Sequence, residues 1–248
     1  MGIWRLLKRK VRQRGYDSTT AYTRYLNSRL KARKGDRELA FAEAIGATSM
    51  ELFREQGDGH VRVLKHHGLA DGMAVFDLGC GCGRTAQALQ RNGWSGTYTG
   101  TDVVDGLIGE LREKCPTYDA YVHRQPTIRA ASGTIDMLYH WSVFTHLSVE
   151  ECFLYMEDSF RALKPGGKLI FSFLEINEPL HGVVFDNRVE TLRRGNQNPL
   201  LDTFLHRDWI TLWAKRIGFT SPRFTDGDDD TQHGAFWQTL VAMEKPGS

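Results

Sequence analysis

The stretch "VFDLGCGCGRTAQAL", residues 75–89, decides the fold. It runs from an apolar segment through a turn with three glycines into a segment with helical spacing of apolar residues. A strand, a glycine-rich turn and a helix in this order form the general nucleotide-binding arrangement, because glycine lets the backbone approach a ligand closely. The stretch therefore predicts a strand-to-helix turn that holds a nucleotide-like ligand.

An acid, Asp77, stands directly before this turn and restricts the choice of ligand. Residues 81–86, "GCGRTA", fit the dinucleotide pattern G-x-G-x-x-A, but a carboxylate here would repel a diphosphate by on the order of several kcal/mol at low dielectric. The same carboxylate would suit an ammonium or sulfonium group. A nicotinamide-dependent oxidoreductase is therefore the less favoured alternative.

From residue 73 onwards, short apolar runs alternate with helical segments. Strands are predicted over 73–78, 97–103, 119–123, 135–141 and 168–174, and helices over 84–92, 105–114 and 149–163. An irregular stretch over 175–205 follows, then one more helix that ends at Gly218, and two strands near 219–225 and 236–244. Alternating strands and helices predict an α/β fold with a mostly parallel sheet and helices on both faces. The last two strands are joined by a short loop, so they must be antiparallel.

Four motifs in order resemble those of class I S-adenosylmethionine-dependent methyltransferases. "VFDLGCGCG" resembles their first motif, D/E-x-G-x-G-x-G, and "GTDV", residues 100–103, resembles the acid of their second strand. "IDMLYHWSVFTHL" (135–147) is similar to their fourth strand and the following turn, and "ALKPGGKLIFSF" (162–173) to their fifth-strand signature. The resemblance spans roughly residues 60–175. It implies a Rossmann-like three-layer αβα sandwich with a seven-stranded sheet whose last strand is antiparallel, methyl transfer as the activity, and S-adenosylmethionine as the cofactor.

The resemblance also implies a set of cofactor-binding residues. Asp102 matches the ligand of the ribose hydroxyls, although an acid at a strand end can instead cap the next helix. The family often has an acid after the third strand that contacts the adenine amine. Residues 121–130, "YVHRQPTIRA", contain none, so Gln125 or a backbone carbonyl takes this role. The expected cofactor-binding residues are Asp77, Gly79, Cys80, Gly81, Gly83, Asp102, Val103, Gln125, His140 and Trp141.

The acceptor should lie over the carboxyl ends of strands four and five, where the strand order of a parallel sheet switches. His146 is the first candidate for a general base, since imidazole titrates near neutral pH, but it can equally tie its turn to a backbone carbonyl. Glu175 is predicted to orient an acceptor hydroxyl, or to be a solvated strand-end acid. His181 lies in segment 175–205, which is predicted to shape the acceptor site or to form a surface loop.

The charge of the chain is distributed unevenly. Residues 1–37 carry twelve Lys or Arg and two Asp, a net charge of +10, whereas the remaining 211 residues carry a net charge of −8. We therefore divide the chain into a basic helical arm or cap (1–59) and a methyltransferase domain (60–248) with an acceptor-site insertion at 175–205. The arm either packs on the domain as a solvated helix or contacts an anionic acceptor or a membrane surface through residues 1–14.

The expected acceptor is a small molecule or a glycan, methylated on a hydroxyl and presented on an anionic carrier. Nucleic acid is disfavoured as a partner, because the turn after strand four lacks the Asn/Asp-Pro-Pro-aromatic motif and no Pro-Cys pair is present. An RNA ribose methyltransferase and a non-catalytic S-adenosylmethionine-binding regulatory protein remain as alternatives.

The four cysteines, at positions 80, 82, 115 and 152, do not form a disulfide framework or a metal-ligand pattern. No apolar run has the length of a membrane span, and the basic start lacks the apolar core of a secretory signal. We therefore expect reduced thiols, no metal, and a cytoplasmic protein that contacts a membrane peripherally, if at all, through residues 1–14.

Overall fold

The structure is a computed structural model that describes residues 17–196, 200–232, 234 and 236–247. The predictions for residues 1–14 lie outside the described residues. Within these ranges, none of the helices combines the length and the apolar character needed to cross a membrane.

The centre of the fold is an eight-stranded sheet. Its strands are β1 Ala74–Leu78, β2 Thr97–Asp102, β3 Asp119–Val122, β4 Ile135–His140, β5 Leu163–Glu175, β6 Phe204–Leu205, β7 Arg223–Thr225 and β8 Thr239–Glu244. The order is β3-β2-β1-β4-β5-β8-β7, with β6 paired to β5, and β8 runs antiparallel to both of its neighbours. The predicted parallel sheet with an antiparallel last strand is confirmed. The two-residue β6 was not predicted because it is too short to show a period.

Eight helices flank or cap the sheet in the described chain. They are α1 Ser18–Ala32, α2 Arg37–Ala44, α3 Met50–His66, α4 Arg84–Arg91, α5 Asp105–Lys114, α6 Val149–Ala162, α7 Pro179–Arg193 and α8 Arg207–Ile217. Side chains of β1 alternate between the two faces of the sheet, so that Phe76 packs with α6 and α8, whereas Val75 packs with α3, α4 and α5. Helices on both faces make the predicted three-layer αβα sandwich.

The predicted boundary between residues 59 and 60 falls inside α3, which packs on α1 and α2 through Phe53 and on the sheet through Val61 and Leu64. Gly57 allows the close packing of α3 on α4, because a Cβ there would lie 2.8 Å from the carbonyl oxygen of Arg84. A separate cluster, which includes Leu26, Phe41 and Phe53, joins α1, α2 and α3 to the glycine turn. The N-terminal helices are therefore packed against the domain.

The segment 175–205 was predicted to be irregular. The structure shows instead that it contains the fifteen-residue helix α7. Glu178 caps this helix through its side chain, and Pro179 occupies the first turn, where proline is favoured. Of the residues in α7, only His181 is buried, so the helix has no continuous apolar stripe. The hydrophobic period that reveals an amphipathic helix is therefore absent from this stretch.

Candidate active site

A cavity of about 460 Å³ opens at the carboxyl ends of β1, β2 and β4, where the strand order reverses. Its walls come from the glycine turn, the ends of β2 and β3, the loop after β4, the N-terminal helices, α7 and the segment before β8. The residues that line it are Ser18, Tyr22, Tyr25, Ala44, Ile45, Gly46, Leu78, Gly79, Gly81, Thr101, Asp102, Val103, Leu107, His123, Trp141, Ser142, Val143, Thr145, His146, Leu147, Tyr155, Leu174, Val184, Leu200, Asp202, Trp237 and Gln238.

The glycine turn forms the floor of the cavity. The N–H groups of Gly79 and Cys80 both donate to the carbonyl oxygen of Thr101, at 2.7 and 3.0 Å, and this fixes the turn beside the end of β2. Gly79 has a φ of +70°, and a Cβ there would overlap Val143 Cγ2 from the loop after β4. Only glycine allows these two loops to approach each other so closely.

Asp102 lies at the end of β2 and faces the cavity, as predicted. Its Oδ2 accepts from Gly81 N at 3.0 Å, and its Oδ1 accepts from Val104 N at 2.9 Å. Burial raises the pKa of this carboxyl, and the backbone N–H donors oppose that shift. The side chain thus links the glycine turn to the end of β2 and presents a hydrogen-bond acceptor to a ligand. Val103, next in the chain, also lines the cavity.

Asp77 does not line the cavity, although it is the acid of the first motif. It is buried, and the Tyr98 hydroxyl donates to its Oδ2 at 2.6 Å. Burial raises the pKa of Asp77 to about 7, because desolvation outweighs the hydrogen bond from Tyr98. Cys80 packs its sulfur beside Gly100, and Gly83 supports the start of α4, so these two residues shape the turn from behind.

Two further residues expected at the cofactor do not reach the cavity. His140 is buried in the core and stacks on Phe171, with ring centroids 4.9 Å apart and planes 9° apart. Burial lowers the pKa of His140 to about 3, so its ring is neutral. The side chain of Gln125 is exposed. Its main-chain oxygen accepts a hydrogen bond from the Tyr155 hydroxyl at 3.1 Å. His123, at the end of β3, lines the cavity instead and is the candidate for the adenine side.

His146 lies in the short 3₁₀ turn after β4 and lines the cavity. Its Nδ1 lies 2.7 Å from the carbonyl oxygen of Leu201. A carbonyl can only accept, so Nδ1 carries the proton and Nε2 is the acceptor nitrogen of the ring. Burial lowers the pKa of His146, while the bond to Leu201 and the charge of Asp202 oppose this shift. The contact with a backbone carbonyl, one of the two alternatives from the sequence, is therefore present, and it leaves Nε2 as a nitrogen that can accept a proton.

Glu175 and His181 do not line the cavity, which contradicts the acceptor contacts expected for them. Both oxygens of Glu175 lie within 2.8 Å of Arg207 Nε, and Oε2 also accepts from the Thr239 hydroxyl. The Nδ1 of His181 accepts from Glu175 N at 2.8 Å, and its Nε2 lies 2.7 Å from the carbonyl oxygen of Trp237. Glu175 therefore joins the end of β5 to α8 and β8, and His181 holds α7 and the segment before β8 against β5.

We expect Glu175→Gln to reduce stability and to leave catalysis nearly unchanged. The substitution leaves Arg207 without its buried counter-charge, which should lower the free energy of unfolding by about 1–3 kcal/mol. Urea denaturation measures this loss, and initial rates of the folded variant should stay within about threefold of wild type. Glu190→Gln, at an exposed ion pair on α7, is the matched control and should change stability by less than about 0.5 kcal/mol. A large loss of turnover in folded Glu175→Gln would restore Glu175 to the acceptor site.

A network of three polar side chains, which the sequence did not reveal, supports the loop after β4. Ser142 N donates to Ser172 Oγ at 2.8 Å, Ser172 Oγ donates to Gln238 Oε1 at 2.6 Å, and Gln238 Nε2 donates to Ser142 Oγ at 2.9 Å. Ser142 and Trp237 are the two non-glycine residues with positive φ among those described, at 56° and 68°. Both line the cavity, so the strained backbone is concentrated at the site.

Helix α1 covers one side of the cavity. Ser18, Tyr22 and Tyr25 lie three or four residues apart on α1 and line the cavity together. The ring of Tyr22 meets the His146 imidazole edge to face, with centroids 5.1 Å apart. The N-terminal helices therefore contribute side chains to the site itself, next to the candidate base.

The charges of the described cavity wall favour a ligand other than a diphosphate. Of the described residues that line it, none is Lys or Arg, whereas Asp102 and Asp202 are acids. Arg84, at the start of α4, is buried and donates to the Ile45 carbonyl. Among the described lining residues a dinucleotide would find no Lys or Arg for its phosphates, whereas a ligand without phosphates and with positive charge fits them.

Comparison with known proteins agrees with this geometry. Residues 75–167 match the family described as a methyltransferase domain. The chain carries a methyltransferase domain over these residues, and its activity is S-adenosylmethionine-dependent methyl transfer. The matched residues contain the glycine turn, Asp102 and His146, whereas the lining residues from α1, α7 and the segment before β8 lie outside the match.

Solved methyltransferase structures share the fold. One is a magnesium protoporphyrin IX methyltransferase from Synechocystis PCC 6803, which is 16% identical with a TM-score of 0.61 over 91% of this chain and 99% of that one. Another is an S-adenosylmethionine-dependent methyltransferase from Methanosarcina mazei, which is 16% identical with a TM-score of 0.59 over 75% of this chain and 98% of that one. At these identities the similarity concerns the fold.

The cofactor of this methyltransferase is S-adenosylmethionine, as predicted, and the described residues fit it. When bound, it supplies a methyl group activated by a positively charged sulfur. The close glycine turn and the Asp102 acceptor suit an adenosine, and a wall whose described residues include no Lys or Arg suits its cationic tail. Asp102 would hold the ribose hydroxyls, and Val103 and His123 would border the adenine.

Proposed function

We propose that this methyltransferase methylates a hydroxyl group of a small-molecule or glycan acceptor, with His146 as the general base. The observation that carries the proposal is the tautomer of His146. Its Nδ1–H is bonded to the Leu201 carbonyl, so Nε2 is the proton-accepting nitrogen of a ring that lines the cavity. A hydroxyl needs such a base, because it must lose its proton as it becomes a nucleophile.

The proposed step uses few groups of the chain. The acceptor oxygen forms a bond to the methyl carbon while the bond between that carbon and sulfur breaks, with its electron pair remaining on sulfur. The hydroxyl proton passes to Nε2 of His146, and the Leu201 carbonyl holds the ring in place. The lowered pKa of His146 keeps the ring neutral and ready to accept a proton near pH 7.

The walls around His146 support a neutral acceptor with a flat or apolar face. Aromatic rings of Tyr22, Tyr25 and Trp237 line the cavity together with Leu200, and Asp202 is paired to Arg188 at 3.5 Å. Aromatic rings pack against other aromatic rings and against the apolar face of a sugar. Any anionic carrier would then lie outside the cavity, and the basic residues of segment 1–14 are its candidate partners.

The direct test is to incubate the protein with S-adenosylmethionine carrying a labelled methyl group and an extract of small molecules and glycans from the host. We expect label in a product that is stable to base, as a methyl ether is and a methyl ester is not. Label in RNA would favour the ribose alternative. Binding of cofactor with no labelled product in any fraction would favour the regulatory alternative.

Deletion of residues 1–14 tests the carrier hypothesis. If the arm binds an anionic carrier, kcat/KM should fall roughly tenfold or more with a carrier-linked acceptor, because several charge contacts are lost, and should stay nearly unchanged with the free neutral acceptor. Initial rates at low and high salt measure the effect, since screening should remove it in the intact chain. Equal losses on both acceptors would contradict the hypothesis.

A further inference from the structure

An apolar patch lies on the outer face of the sandwich. It takes no part in the reaction described above. It is formed by α6 and α8 and includes Leu154, Trp209 and Leu212, which are 42%, 47% and 62% exposed. Phe153 and Trp213 join the two helices within this patch, with their rings 5.9 Å apart and edge to face. Contiguous exposed apolar surface of this kind marks an interaction site.

The spacing of apolar residues along α8 shows two separate stripes, one facing the core and one belonging to the patch. Ile210, Ala214 and Ile217 face the core, as the first apolar stripe of the helix. Trp209 and Leu212 form a second, exposed stripe on another side of the helix, with the half-buried Trp213 between this stripe and the core, and Arg216 lies one turn after Leu212, with its guanidinium 5.1 Å from the centroid of the Phe153 ring. One stripe is sufficient to dock α8 on the sheet, so the second is available for a partner.

The charges beside the patch have opposite signs on the two helices. On α6, Leu154 lies between Glu150 and Glu157, one turn away on either side. On α8, Leu212 is followed by Lys215 and Arg216. Among the described residues, none of these four charged side chains takes part in an ion pair within 4.0 Å.

We propose that this patch, formed by Leu154, Trp209, Leu212, Glu150, Glu157, Lys215 and Arg216, binds a second copy of the same chain in a two-fold dimer. In an isologous interface the same surface faces itself, so the acids of α6 in one copy meet the bases of α8 in the other. Leu154, Trp209 and Leu212 then form the apolar centre, and the charges form the rim. An anionic membrane fits less well, since the acids on α6 would be repelled by it.

Charge reversal on each helix gives the decisive experiment. An acid-reversed chain (Glu150→Lys with Glu157→Lys) and a base-reversed chain (Lys215→Glu with Arg216→Glu) should each dimerise at least about tenfold more weakly than wild type, because like charges then face each other. Mixed together, the two variants should form a heterodimer, since both contacts become attractive again. Sedimentation velocity of each chain alone and of the mixture measures these outcomes.

Leu212→Glu should also prevent dimerisation, whereas Leu192→Glu should not. Leu192 is 58% exposed but lies on α7, away from the patch, so it is the matched control. Binding of S-adenosylhomocysteine by each variant verifies that it is folded. A monomeric wild-type chain, a dimer that survives Leu212→Glu, or a monomer that binds anionic vesicles through this patch would each overturn the proposal.

Discussion

Replacement of His146 by alanine should lower kcat by about 10²- to 10⁴-fold, the usual contribution of a general base. The variant keeps the glycine turn and Asp102, so its affinity for S-adenosylhomocysteine should remain close to that of wild type. His146→Gln should be nearly as inactive, since an amide holds no proton-accepting nitrogen. Initial rates with the identified acceptor measure the loss of kcat, and calorimetry with S-adenosylhomocysteine measures the affinity for the cofactor product.

The pH dependence gives an independent check of the same role. Burial places the pKa of His146 below the ordinary value of 6.5. A general base works only when it is neutral, so kcat should fall only below that lowered pKa and should be level across neutral pH. In His146→Ala the remaining rate should rise steadily with pH, as hydroxide replaces the base. A profile that is the same in wild type and variant would show that His146 does not take the proton.

Substitutions of Tyr22 test how its aromatic contact affects the His146 imidazole. Its edge-to-face contact with His146 should be kept in Tyr22→Phe and lost in Tyr22→Leu. We therefore expect a smaller loss of kcat in Tyr22→Phe than in Tyr22→Leu, with the acid limb of the profile displaced only in the second variant. Thr23→Ala, at an exposed position of the same helix, should leave the rate unchanged.

The cofactor half of the site could be predicted because its parts are set by local sequence. Gly79 and Gly81 need positive φ in a tight turn, and Asp102 ends the strand beside it, so each appears as a short pattern. The placement of His140 could also have been predicted correctly. Side chains alternate along β4, so His140 faces the same side as Leu138, in the core with α6, while Trp141 faces the other side.

The acceptor half of the site could not be predicted, because no local sequence pattern indicates it. Tyr22, Asp202 and Trp237 come from segments far apart in the sequence and meet only through tertiary packing. The same reason explains the errors at Glu175 and His181. Polar residues near a strand end suggest a substrate contact, and only the fold shows that Arg207 and the Trp237 carbonyl already satisfy them.

Asp102→Asn should weaken the binding of S-adenosylhomocysteine by roughly 10- to 100-fold, which corresponds to one lost charge-assisted hydrogen bond of about 1.5–3 kcal/mol. Both carboxylate oxygens of Asp102 accept backbone N–H groups. An amide in the same place offers only one acceptor, so its NH₂ group must face Gly81 N, Val104 N or the ribose. Calorimetry measures the loss of affinity for S-adenosylhomocysteine. Thermal unfolding without ligand measures how far the substitution also destabilises the glycine turn.

Asp77→Asn is the comparison that decides what the acid of the first motif does. If Asp77 only supports the turn through Tyr98, the variant should bind S-adenosylhomocysteine within about threefold of wild type, because an asparagine oxygen still accepts from the Tyr98 hydroxyl. The folded state holds the proton of Asp77 up to about pH 7, whereas the unfolded chain loses it near pH 3.8. This group therefore makes ligand-free wild type less stable as the pH rises from about 4 to about 7, with no further change above, and Asp77→Asn should remove that slope. A loss of binding as large as in Asp102→Asn would show instead that the Asp77 carboxylate acts on the positive charge of the cofactor, as the sequence predicted.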